Sequence, residues 1–295
     1  MKSNNIATFF AILAAALYAV NIPISKLLLE HVDATMMAGF LYLGAGIGML
    51  IYGLVSKTFH KGTKKELLTK KELPYTIAMV LLDILAPILL MCGISRTTSA
   101  NVSLLNNFEI VATSLIALII FHEVISKKLW LAICLVTLAS MILSFEGNGA
   151  FLFNKGSLFV LGACTCWGFE NNCTKMISNK SSEEIVIIKG FFSGIGSLII
   201  ALVLGESLPA LKWILSVLAL GFVAYGLSIN FYIMAQKDLG AAKTSAYYSI
   251  APFLGVAFSM IFLGERPAVQ FYVALTIVVI STIIMAKDTS LKESS

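Results

Sequence analysis

Ten apolar stretches, each long enough to cross a bilayer, fill this chain almost end to end and leave only short connections between them. They cover residues 6–29, 34–55, 74–94, 99–121, 129–145, 156–177, 184–204, 211–235, 241–263 and 268–286. A helix rises 1.5 Å per residue, so about 20 residues span a hydrocarbon core about 30 Å thick. The runs are long and continuous. Barrel strands would be about ten residues long and alternate in character. Hydrophobic residues make up 58% of the chain and charged residues 13%, against about 45–50% and about 25% in soluble domains. The expected fold class is an all-α polytopic membrane protein of ten transmembrane helices, with its function inside the lipid.

Several function classes fall away on composition. Cys92, Cys134, Cys164, Cys166 and Cys173 all lie within apolar stretches and read as small buried hydrophobes. With no CxxC pair and no Cys/His cluster, neither a metal nor a cofactor is expected. The first stretch is too long for a signal-peptide core and lacks a small-residue cleavage site, so it is expected to be retained. The net charge of +5 is not gathered into one soluble patch, so nucleic acid is not an expected partner. The basic residues instead report topology. With both termini cytoplasmic, Lys57, Lys61, Lys64, Lys65, Lys70, Lys71, Lys127, Lys128, Lys180 and Lys237 all fall inside, whereas Arg96, Lys155, Lys212 and Arg266 fall outside. That is a positive-inside bias.

The chain also repeats itself. Ala100, Ser103 and Glu123 align without gaps with Ala242, Ser245 and Glu265, and Ala14, Tyr18 and Lys26 align with Ala163, Trp167 and Lys175. Each half, 1–145 and 146–295, then holds five helices. Five is odd, so the second half enters the membrane inverted. Inverted repeats of secondary transporters place a substrate site between the halves, near the midplane.

At these residues the chain resembles the EamA family of the drug/metabolite transporter superfamily, over nearly its whole length. The resemblance rests on Trp167-Gly168 followed by Lys175, echoed by Tyr18-Ala19 and Lys26. It rests also on the apolar run closed by Leu263-Gly264-Glu265, echoed by Phe121-His122-Glu123. A Glu-Pro pair frequent in helices four and nine of the family is split here: Glu109 precedes Ile110, and Ala251 precedes Pro252. The resemblance implies a transporter. It leaves the cargo open, because the family carries chemically unrelated metabolites.

Charges within the spans are the candidate machinery, since each costs roughly 2.5–3.5 kcal/mol at a helix centre. Glu170 and Lys189 lie at about equal depth, about 8–10 Å below the cytoplasmic boundary, on consecutive antiparallel helices. They are expected to form an ion pair, either as a structural pin or as part of a substrate or proton site. Asp83 and Glu109 lie about 15–16 Å deep on helices three and four. Two carboxylates sharing one low-dielectric site cannot both stay ionised, which is what a proton carrier requires. Asp83, Glu109 and Glu170 are therefore the proton-coupling candidates, with separate hydrogen bonding to backbone, Asn106 or Asn107 as the alternative for the first two. Tyr18, Asn21, Trp167, Asn171, Tyr225 and Tyr248, with Asn106, Asn107, Glu170 and Lys189, are the substrate-binding candidates: aromatic walls with a few polar anchors.

Gly44, Gly46 and Gly48 in helix two and Gly190 and Gly194 in helix seven mark close helix approach. Internal packing favours a monomer over a homodimer. Pro23, Pro87 and Pro252 each remove a helical hydrogen bond and are hinge candidates. Lys26, Lys175 and Lys243, near span ends, are expected to snorkel to the head groups. Glu123 and Glu265 are expected to be structural. The expected activity is movement of a small polar or amphipathic metabolite, an amino acid for instance, outward across the inner membrane of a prokaryote, with proton coupling as an option. Lipid and a small-molecule metabolite are the expected partners. Competing readings are a membrane enzyme or flippase acting on a lipid-linked substrate, and a sensor subunit without flux. No metal-ligand cluster, Gly-x-Ser-x-Gly or P-loop supports enzyme chemistry or ATP-driven transport.

Overall fold

The computed structural model describes residues 2–59, 66–96, 102, 105–106, 108–144, 155–251, 253–255, 257–258 and 269–286. Among them there is no strand. Helices α1 (Lys2–Ala19) and α2 (Asn21–Leu28) form one span broken at Val20. Pro23 explains the break: it has no N–H to offer the carbonyl of Ala19. There follow α3 (Ala34–Phe59), α4 (Leu73–Arg96, containing Pro87), α5 (Phe108–Ile119), α6 (Lys127–Ser144) and α7 (Lys155–Ile177). Helix α8 (Ser182–Ile188) runs through a π-helical turn, Lys189–Ser193, into α9 (Gly194–Val203). Helix α10 (Leu211–Gly221) runs through a second π-helical turn, Phe222–Leu227, into α11 (Ser228–Leu239). Helices α12 (Ala241–Tyr248) and α13 (Val269–Ala286) complete the described chain. Pro252 and Glu265 lie outside the described residues.

Among the described residues, five helical segments are long and apolar enough to cross a membrane: Asn5–Leu28, Ala34–Val55, Lys70–Arg96, Ser182–Val203 and Leu211–Leu239. The protein is therefore a multi-pass membrane protein. Helix α7 matches them in length, with 23 residues, but not in hydropathy. It carries Glu170, Asn171, Asn172 and Thr174, all of them buried, which a helix tolerates in lipid only on an inward face.

The packing is inverted relative to a soluble protein. Leu54, Leu81, Phe192, Leu204 and Ile119 are exposed, while Asn21, Asp83, Thr113, Glu170, Lys189 and Gln236 are buried. Lipid gives no hydrophobic drive between helices, so small residues must bring them together. A Cβ on Gly190 would sit 2.3 Å from the Cα of Gly46, and one on Gly221 would sit 2.1 Å from the carbonyl oxygen of Leu41. The expected glycine seam is thus internal: α3 lies backbone to backbone against the second half of the chain, along α9, α10 and both π-helical turns. Helix α4 packs along α7, and α1 along α11. Helix α5 also packs on α7, α12 on α1, and α13 on α6.

Candidate functional site

The buried charges of α4, α7 and the α8–α9 helix meet in one cluster. The Lys189 ammonium donates to Glu170 and lies 3.3 Å from Asp83 Oδ2. Asp83, Glu170 and Lys189 are only 1%, 3% and 2% exposed. Thr174 donates to the same oxygen of Glu170. Tyr42 of α3 donates to Asp83 Oδ1 at 2.7 Å. A cation between two carboxylates satisfies both, and leaving either unpaired here would be far costlier than leaving it in water. Lys189 opens the first π-helical turn and Tyr225 lies in the second. Such turns recur at functional sites because they shift the side-chain register of the helix that follows.

Glu109, at the start of α5, is held differently. It accepts from the Asn171 amide at 2.8 Å. Among the described residues no cation lies within ion-pair distance of it. Asn171 also donates to Thr113 Oγ1 at 3.3 Å, and its carbonyl accepts from Gln236 at 3.1 Å. Asn172 fastens α7 to α5 through the Thr113 carbonyl at 3.0 Å. These amides fix the α5–α7–α11 junction that aims the Glu109 carboxylate.

The charges open onto a cavity of about 50 Å³, room for a few water molecules. Asp83, Glu109, Glu170, Asn171 and Lys189 line it on the polar side. Tyr18, Tyr42, Tyr225, Tyr232, Tyr248 and Trp167 form an aromatic wall, with Ile229. The rings touch one another: centroids are 5.8 Å apart for Tyr18–Tyr225, 5.5 Å for Tyr18–Tyr248, 5.1 Å for Tyr42–Tyr225 and 5.0 Å for Tyr232–Tyr248. Asn21 stands behind this wall and donates to the Tyr225 hydroxyl at 3.3 Å. A second cavity, of about 10 Å³, shares Glu109 and Tyr248 with the first and adds Asn106, Ser245 and Ser249.

Nine of the residues singled out from sequence therefore meet at one cavity: Tyr18, Asp83, Glu109, Trp167, Glu170, Asn171, Lys189, Tyr225 and Tyr248. Asn21 supports it, Asn106 lies in the smaller cavity, and Asn107 lies outside the described residues. The Glu170–Lys189 pair is present. Asp83 and Glu109 line the same cavity but bond to different partners, Asp83 to Lys189 and Tyr42 and Glu109 to Asn171. Tyr42, Thr174 and Tyr232 were missed. The one available signal for Tyr42 was its place just ahead of the α3 glycines.

The residues at span ends also differ from expectation. Lys26 donates to the Ile94 carbonyl at 2.8 Å, and Lys175 to the Gln236 carbonyl at 2.7 Å. Neither simply snorkels, because frayed helix ends offer unsatisfied carbonyls. Lys243 is buried rather than drawn to the head groups. Glu123 is structural, as expected: it accepts from the Ala241 N–H at 3.2 Å, capping α12. Gly240, at φ 81°, lets it approach, since a Cβ there would lie 2.4 Å from the carboxylate.

The fold is that of a helical membrane protein with buried ion pairs and aromatic rings around one cavity. The chain belongs to the EamA-like transporter family, whose model matches residues 5–145 and 154–287. It is similar to an uncharacterized transporter of Methanothermobacter thermautotrophicus: 25% identical over 271 residues, covering 86% of this chain and 78% of the relative. Its fold is similar to a chain of known crystal structure, with a TM-score of 0.79 at 14% identity, over 98% of this chain and 99% of that one. The two matched segments of the family model divide the chain near residue 150, where the sequence repeat divides it.

Proposed function

We propose that the protein is a secondary transporter of two inverted five-helix repeats, 1–145 and 146–295, that moves a small polar or amphipathic metabolite by alternating access. One observation carries this reading: the charged cavity takes walls from both halves, with Tyr18, Asp83 and Glu109 from the first and Glu170, Lys189 and Tyr248 from the second. A site shared between repeats changes its exposure when one repeat rocks against the other. The helix contacts support the inversion. Exchanging each helix with its repeat partner turns the α4–α7 contact into α11–α1, and α5–α7 into α12–α1. Lys26 and Lys175, aligned in sequence, hold the ends of corresponding helices. The cavity is contracted, so a cargo molecule enters only as the repeats part.

The same reading places both termini in the cytoplasm of a prokaryotic cell, on the positive-inside bias, with export as the direction of flux. Glu109 is the favoured proton carrier, because no cation lies within ion-pair distance of its carboxylate among the described residues. Asp83 and Glu170 stand behind it as the partners of Lys189. The test is flux in proteoliposomes with an imposed pH gradient. Glu109→Gln is expected to abolish pH-driven accumulation and to leave downhill exchange measurable. Full pH-driven accumulation by Glu109→Gln would remove Glu109 from the coupling step. Labelling of single cysteines at positions 123 and 265 on the same membrane face would remove the inverted repeat.

A further inference from the structure

The charges around the cavity do not balance once Glu109 has given up its proton. Three carboxylates then face one ammonium among the described lining residues, and that ammonium is fully engaged: Lys189 is clamped between Asp83 and Glu170. Among the described residues Glu109 has an amide donor and no cation within ion-pair distance, and it is only half-buried, on the wall of both cavities. An anion entering here meets ionised Glu109 and finds no free cation among the described lining residues. A cation meets a carboxylate that no described ammonium neutralises, in a setting where the attraction is little screened.

The walls favour the same sign. Tyrosine and tryptophan faces attract a cation placed over the ring, and Tyr18, Tyr248, Tyr232 and Trp167 surround this space. An independent feature points to a ligand with a hydrogen-bonding group. The Tyr232 hydroxyl lies buried on the cavity wall, with no hydrogen bond of normal length among the described residues. Buried hydroxyls are seldom left unpaired. A protonated amine offers N–H donors to this oxygen and to Glu109, which line the same cavity. A quaternary ammonium, having no N–H, satisfies neither as a donor.

We infer that the cavity binds a small primary amine in its cationic form, its ammonium on Glu109 and its apolar body against the tyrosine wall, and that it selects against the matching amino acid. The inference rests on the transport reading and narrows it. An amino acid carries the same ammonium, but its carboxylate enters a site where the one ammonium among the described lining residues is already shared by two acids.

Three molecules of one skeleton test this on the full chain in lipid nanodiscs: 3-methylbutylamine, leucine and 4-methylpentanoate. The amine is expected to bind, leucine about tenfold or more weakly, and the anion not at all. Glu109→Gln is expected to weaken amine binding by about tenfold or more, as loss of a charge-assisted contact implies. Tyr232→Phe is expected to weaken it several-fold. Equal or tighter binding of leucine or the anion overturns the inference, as does failure of the amine to bind. So does amine affinity unchanged in a Glu109→Gln protein whose melting temperature is unaltered. Should that variant not fold, the ranking of the three ligands on the unaltered protein decides alone. Counterflow in proteoliposomes separates the two readings. Leucine flux without amine binding sinks the amine and keeps the transporter, whereas amine binding with no flux of any of the three keeps the site and counts against transport.

Discussion

The same residue types do opposite jobs in the centre of this molecule and at its faces. In the centre, Lys189 meets Asp83 and Glu170, and Asn171 meets Glu109: side chain binds side chain. At the faces, Lys26 and Lys175 bind carbonyls at helix C-termini, while Glu123 and Glu206 bind N–H groups at helix N-termini. The reason is backbone supply. Mid-helix N–H and C=O groups are already paired, so a buried charge there must find another charged or polar side chain. Helix ends leave their first N–H groups and last carbonyls unpaired and carry partial charge of matching sign. A charged side chain at a helix end is thus held locally and cheaply. One in the middle ties distant helices together, and its loss strands its partners.

That contrast breaks first, and by the largest margin, at Lys189. Lys189→Met leaves two buried carboxylates uncompensated and is expected to cost about 3–5 kcal/mol. Neutralising one of them as well, in Glu170→Gln with Lys189→Met, is expected to recover part of the loss. Thermal unfolding in lipid nanodiscs measures both. If the single and double variants melted together, Lys189 would be no more a linchpin than the lysines at the faces.

The centre was partly legible in the sequence, and the reason is local geometry. Glu170 and Lys189 lie on consecutive antiparallel helices, so counting residues from a shared turn fixes their relative depth. No such count links Asp83 to Lys189 or Tyr42 to Asp83, because those contacts depend on how α3, α4 and α8 pack, and the glycine pattern gave the closeness of α3 without its partner. At the faces, the repeat marked Glu123 as important but not the helix it caps. Glu206 had no motif at all. The α7 helix was legible as a span from the apolar stretch over 156–177, although its buried polar run lowers its hydropathy.

The next largest effect is expected where the two halves touch backbone to backbone. Gly190 follows Lys189, and a methyl group there would collide with main-chain atoms of Gly46 and Tyr42 rather than with a yielding side chain. Gly190→Ala is expected to cost about 1–3 kcal/mol through forced separation of the helices, and to loosen the Lys189 clamp next to it. Gly53→Ala, where the nearest atom is the Glu183 carboxylate at 4.0 Å, is the control near a face and is expected to be nearly silent. Comparable losses from both would mean that the seam is not a tight one.

A smaller effect is expected at the other face. Glu206 accepts from the Thr35 and Met36 N–H groups, at 3.2 and 2.6 Å, in the first turn of α3. Asp33 in turn accepts from the Ser207 N–H at 3.3 Å. Glu206→Ala removes one cap and its favourable charge, at an expected cost of about 1 kcal/mol. Glu206→Gln keeps an acceptor and is expected to cost less. A loss from Glu206→Ala as large as that from Lys189→Met would erase the distinction between face and centre.

The smallest effect is at Glu123, where the sign depends on pH. Burial pushes the Glu123 carboxyl above the usual carboxylate range, and the Ala241 N–H, the Lys175 ammonium and the Ala242 N–H pull it back only in part. A carboxyl that holds its proton more tightly folded than unfolded stabilises the fold most at low pH. That contribution falls as pH rises from the ordinary glutamate range through the raised folded value, and it is flat above that. The N–H cap and Lys175 limit the loss, so this end contact works even when its acid is ionised. Glu123→Gln retains an oxygen for the Ala241 N–H and removes the titrating group. Its melting temperature relative to the unaltered protein is therefore expected to be lower at pH 4 and to rise towards parity or better by pH 7. A difference that runs the opposite way with pH would mean that ionised Glu123 is a net source of stability, held by its helix end more strongly than burial opposes it.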